Sequence, residues 1–137
     1  MRPYYHPRSW SIPVRIFVGC VIISACIAAY RYTNPQPSLI DGLRFCAQST
    51  QEMSVLLKCT RSLVLEQLDI VSPATLLREA ATSEMPRAYG DCHPVAHIIG
   101  QETYKRSKNL EQTLAQCSNT CFDGCLHGAL GAAMVEQ

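Results

Sequence analysis

From residue 38 onward the apolar positions recur at helical spacing, and no stretch alternates like a strand over a useful length. Ser38 can cap a helix that puts Leu39, Leu43 and Cys46 on one face. A polar stretch, Gln48-Ser49-Thr50-Gln51, marks a joint. The next run, 52–70, places Met53, Leu56, Leu57, Leu63, Val64 and Leu68 at helical intervals. Ser72-Pro73 is a strong start signal, because Ser caps and Pro suits a first turn whose N–H groups are unpaired anyway. That helix carries Leu76, Leu77 and Ala80 and stops near Ser83, before Pro86. Asp91 caps a further helix beginning at Cys92. Asn109 with Gln112, and Thr120 with Asp123, resemble capping boxes for two more. The expected class is all-α: a small bundle of about five short helices.

Ahead of that bundle the pattern changes. Residues 16–30 read IFVGCVIISACIAAY without a charge. Fifteen helical residues span ~22 Å, short of the roughly 20 residues that cross a bilayer comfortably. Extension back to Ile12, with Arg15 and Arg31 snorkelling and Trp10 and Tyr32 at the interfaces, brings the segment within range. The expected organisation is a basic leader over 1–11, a transmembrane anchor or signal segment over 12–32, a Pro-rich spacer over 33–38, and an exported Cys/His-containing domain over 39–137. The last helix carries no stop signal before Met134-Val135-Glu136-Gln137, which fits a minimal domain or one cut from a longer architecture.

Charge orients this arrangement. Residues 1–37 hold Arg2, Arg8, Arg15 and Arg31 and no acid; residues 38–137 hold eight Lys/Arg against eleven Asp/Glu. The positive-inside rule puts the N-terminus in the cytoplasm and the bundle in the periplasm or outside the cell, with the lipid bilayer as the first partner and a protein as a possible second. A mildly acidic domain offers no footprint for nucleic acid, which needs clustered cations. Two other tethers share this destination. Ala25, Ala28 and Ala29 could form a signal-peptide cleavage site. Ile23-Ser24-Ala25-Cys26 resembles the lipobox of bacterial lipoproteins, which implies acylation of Cys26, although apolar Ile27-Ala28-Ala29 fits that pattern poorly.

The chain has eight cysteines. Cys20 and Cys26 lie in the apolar segment, leaving Cys46, Cys59, Cys92, Cys117, Cys121 and Cys125 for the exported part. An even number in an oxidising compartment reads as three disulfides, for which six cysteines allow 15 pairings. Cys46–Cys59, with twelve residues between them, suits a clamp across two antiparallel helices. Cys92 would reach one of the last three cysteines, leaving the other two to pair.

The histidines carry the rival chemistry. His93 and His97 are four residues apart and leave one helix face together with Gly100 and Tyr104, while Val95, Ile98 and Ile99 turn to the core. Imidazoles at this spacing can share a metal ion, and a glycine in the stripe admits another backbone or a flat cofactor such as haem. Near Cys125, His127 is a further ligand candidate, and Gly124, Gly128 and Gly131 make a strip suited to close helix packing. A helix begun at Cys121 would turn His127 away from Cys121, Cys125 and Gly128. The segment lacks the C-x-x-C-H, paired C-x-x-C and H-E-x-x-H patterns. No motif singles out a thiolate for Cys/His catalysis, so an enzyme ranks last. The first expectation is a tethered extracytoplasmic binding or assembly module with structural disulfides; the alternative is a metal- or haem-binding domain using His93, His97 and His127.

Overall fold

The computed structural model describes residues 12–33 and 38–136, with side chains in the first stretch confined to 16–26. The leader, the spacer residues 34–37 and the side chains of Arg15, Arg31 and Tyr32 lie outside the described residues. The chain divides into two units, Met1–Gln36 and Pro37–Gln137. In the first, α1 (Ile12–Thr33) is a 22-residue helix with Ile16, Phe17, Ile22 and Ile23 well exposed. Among the described residues no helix is long and apolar enough to cross a membrane, so the expected span over 12–32 is matched only as a helix.

The second unit is all-helical among its described residues. It consists of α2 (Leu39–Ser49), α3 (Met53–Leu68), α4 (Pro73–Thr82), a 3₁₀ turn at Arg87–Tyr89, α5 (His93–Ser107), α6 (Leu110–Leu114) and α7 (Gly124–Val135). These six helices among the described residues fit the small bundle of about five short helices expected.

Local chemistry explains most of the boundaries. The Ser38 and Ser72 hydroxyls accept from the N–H groups of Asp41 and Thr75, and the Asn109 side chain accepts from Gln112 N–H. Asp91 Oδ1 accepts from His93 N–H at 2.8 Å, so α5 opens one residue later than its sequence signal. The last start signal fails. Cys121, Phe122 and Asp123 all have positive φ (56°, 52° and 57°), and α7 begins only at Gly124. A capping box from Thr120 would need a right-handed turn where the chain turns left.

Leu39, Leu43, Val64, Leu76, Leu77, Val95 and Ile99 are fully buried and form the centre of the core. Met53 and Leu57, two of the apolar positions at helical intervals along α3, are exposed. Three disulfides staple the unit: Cys46–Cys59, Cys92–Cys121 and Cys117–Cys125. The first is the pairing expected from spacing, and the others follow the expected division of the last four cysteines. Helix α5 lies at the centre, against α3, α4, α6 and above all α7. It is tied to α3 by polar contacts the sequence did not disclose. Buried Glu102 pairs with Arg61 Nε and Lys105 Nζ, each at 3.0 Å, and Arg106 pairs with Asp69 at 2.7 Å.

Candidate functional site

Glycine sets the distance between α5 and α7. A Cβ added at Gly100 would lie 1.9 Å from the Cys125 carbonyl oxygen, and one at Gly128 would lie 1.9 Å from the His97 carbonyl oxygen. A Cβ at Gly124 would lie 2.6 Å from the carbonyl oxygen of His93. Each helix thus rests its backbone directly on glycines of the other. No side chain fits between them.

That approach brings three imidazoles together. His93 and His97 leave α5 one turn apart, and His127 reaches them from α7. Ring centroids are 6.1 Å apart for His93–His97, 5.6 Å for His93–His127 and 6.5 Å for His97–His127. On α7, which begins later than the Cys121 start that the expectation for His127 assumed, His127 is exposed while Cys125 and Gly128 are buried, and its ring lies beside those of the α5 histidines. His93 is half-buried; the other two rings are exposed.

Hydrogen bonding fixes one tautomer. His93 Nδ1 lies 3.0 Å from the Cys121 carbonyl oxygen, which only accepts, so Nδ1 carries the proton and the neutral form of the ring has its lone pair on Nε2. The carbonyl is held there by the Cys92–Cys121 bridge and the left-handed turn. Metal-binding histidines are commonly oriented this way, by donating their other N–H to a carbonyl. His97 is pushed below its ordinary value, first by desolvation and then by the neighbouring His93 and His127, so it is neutral near pH 7. A neutral ring is the form that binds metal.

As the rings stand, no group of three or more His, Cys, Asp or Glu side chains among the described residues is placed to hold a metal ion. Three imidazoles on one tetrahedral ion, with bonds of about 2.0–2.1 Å, put their centroids roughly 5 Å apart. The observed triangle is wider by about 1 Å. The strip that could have taken a flat macrocycle is different: at Gly100 and Gly128 it is filled by backbone.

The six cysteines of the unit are all in disulfides, which leaves none of them as a thiolate nucleophile or metal ligand. Beside His93 and His97, on the side facing α3, lies a cleft of about 520 Å³ that also meets Leu57, Lys58, Arg61 and Ile98. Its α3 wall went unrecognised in the sequence, although Ser54, Lys58 and Arg61 recur at i, i+4 and i+7 and so share one helix face. Against known protein families, curated proteins and solved structures, the chain shows no match.

Proposed function

We propose that this chain is a membrane-tethered, extracytoplasmic helical domain that binds a transition-metal ion through His93, His97 and His127. The observation that carries the reading is the mutual approach of the three rings within 6.5 Å, one of them held in a ligand-ready tautomer. Imidazole ligands suit zinc, cobalt, nickel or copper.

The full chain in detergent should bind one Co(II) or Zn(II), and His97→Ala or His127→Ala should each weaken binding by about a hundredfold or more, beyond the 10–100-fold typical of losing a ligand's supporting partner. Affinity should fall as pH drops from 7 to 5, because protons compete for the imidazoles. Metal at a hundredfold excess over its dissociation constant should stabilise the fold by about 2.7 kcal/mol, read as a rise in Tm. Lack of stoichiometric binding at pH 7, or binding that survives loss of all three histidines, would sink the proposal.

The setting is proposed from the basic leader and the exposed apolar residues of α1. A reporter active only outside the cytoplasm, fused after Gln137, should be active. Replacing Arg2, Arg8 and Arg15 by Glu should reduce that activity. Activity confined to a cytoplasmic reporter would overturn the topology.

A second reading, an assembly module without metal, is favoured by one feature: the outer face of α7 leaves Leu126, Leu130, Met134 and Val135 exposed. It predicts no bound ion and no thermal shift.

A further inference from the structure

We infer that the cleft between α3 and α5 binds a small carboxylate monoanion with an apolar body, held directly by Lys58 and by the apolar walls, with no metal ion taking part. The site is independent of the metal-binding reading above.

Helix pairing opens the cleft. Helices α3 and α5 run in the same direction and are pinned towards their C-terminal ends. Arg61 Nη2 donates to Gln101 Oε1 at 2.7 Å, and Arg61 Nε pairs with Glu102 at 3.0 Å. One turn further on, Arg106 donates to the Leu65 carbonyl and pairs with Asp69 at 2.7 Å. The cleft lies between the N-terminal halves, ahead of those pins. Its α3 wall is the stripe Ser54, Leu57 and Lys58, and its α5 wall is the matching stripe Pro94, His97 and Ile98. At about 520 Å³ it has room for a small organic molecule.

Charge selects an anion. Two cations, Lys58 and Arg61, line the cleft, and no carboxylate does. Arg61 is taken up by the pin. Lys58 is exposed and makes no ion pair among the described residues, so its charge is uncompensated at the rim. The acids at the starts of the two helices are engaged elsewhere: Glu52 accepts from the Ser54 hydroxyl, and Asp91 accepts from His93 N–H. One uncompensated cation matches one negative charge, which suits a carboxylate better than a phosphate dianion. The walls then select the body. Leu57, Pro94 and Ile98 offer apolar surface that hydrocarbon can cover favourably, whereas a hydrated inorganic ion would shed water against it without replacement partners.

The test uses the full chain in zwitterionic nanodiscs, stripped of metal by chelator and desalted, with para-trifluoromethylbenzoate as the probe. Its fluorine NMR signal should shift saturably, beyond any shift seen with empty nanodiscs. The uncharged para-trifluoromethylbenzamide should bind about tenfold more weakly, and sulfate at equal concentration should not displace the probe. Lys58→Gln should weaken the probe about tenfold, the effect of losing one charge-assisted contact. Leu57→Gln, on the exposed apolar wall, should weaken it about threefold. Lys108→Gln, outside the cleft, should change nothing. Lys58 and Leu57 are both exposed, so their variants should melt like the wild type.

Amide binding as tightly as the acid, or Lys58→Gln binding as well as the wild type, would overturn the carboxylate assignment. Displacement by equimolar sulfate would overturn selection by the apolar walls. No saturable shift, or one that appears only once a divalent ion is added, would overturn the site itself. Uptake of Co(II) or Zn(II), scored separately, decides only the metal-binding reading.

Discussion

Gly128→Ala should cost about 3 kcal/mol or more of folding stability and abolish metal binding, while Gly131→Ala, three residues further along the same helix, should do neither. The added methyl at 128 would sit 1.9 Å from the His97 carbonyl oxygen and close to the Gln101 backbone nitrogen. Those are main-chain atoms of a helix, with no rotamer to swing away. The only relief is to push α7 off α5. Overpacking costs about 1–3 kcal/mol where side chains can give way, and more where they cannot. Separation of the helices also withdraws His127 from His93 and His97, so stability and binding should fall together. At Gly131 an added methyl meets nothing within 4 Å and the position is exposed. Alanine there should leave stability unchanged or raise it by up to about 1 kcal/mol, since glycine is the poorer helix former. Denaturant midpoints of the two variants, measured side by side, check this. Equal midpoints would mean that α5 and α7 do not pack backbone to backbone.

The contrast between those two glycines shows where sequence reading stops. Gly124, Gly128 and Gly131 read alike as a smooth strip, but only placement against α5 separates contact glycines from a free one. Caps were legible because Ser38, Ser72 and Asn109 act on N–H groups three residues away. The buried face of α5 was legible for the same reason: Val95, Ile98 and Ile99 follow the helical period. Interactions between distant segments were not. Nothing local marks Glu102 as the buried partner of Arg61, forty-one positions earlier, or Cys121 as the carbonyl that orients His93. The left-handed run at Cys121–Asp123 also defied local rules, because three successive non-glycine residues rarely adopt it. Such a turn persists only where its surroundings hold it.

That last point leads to the second large effect. Replacing Cys92 and Cys121 together by Ser should cost about 3–4 kcal/mol and weaken metal binding at least tenfold. Replacing Cys46 and Cys59 should cost about 3 kcal/mol with little change in metal affinity. On the chain-entropy account a bridge stabilises by restricting the unfolded chain, more so for longer loops. The separations are 29 residues for Cys92–Cys121 and 13 for Cys46–Cys59, so the stability costs differ only slightly. Their consequences at the site should differ far more. Cys46–Cys59 clamps α2 to α3, away from the imidazoles. Cys92–Cys121 joins the start of α5 to a turn whose three residues each sit in the left-handed region, at a cost of order 1–3 kcal/mol apiece. Without the bridge, the remaining disulfide around that turn is Cys117–Cys125, which brackets it in sequence at a separation of eight residues. The turn should then relax towards right-handed geometry and carry the Cys121 carbonyl away from His93 Nδ1. The imidazole would lose the partner that fixes its tautomer and angle, a loss that typically lowers metal affinity 10–100-fold. Calorimetric metal titration and thermal melts on both double variants separate the two contributions. If both lose stability alike but only the Cys92/Cys121 pair loses affinity, the bridge positions His93 as well as stapling the fold. If affinity is unchanged in both, the Cys121 carbonyl plays no part in orienting the ligand.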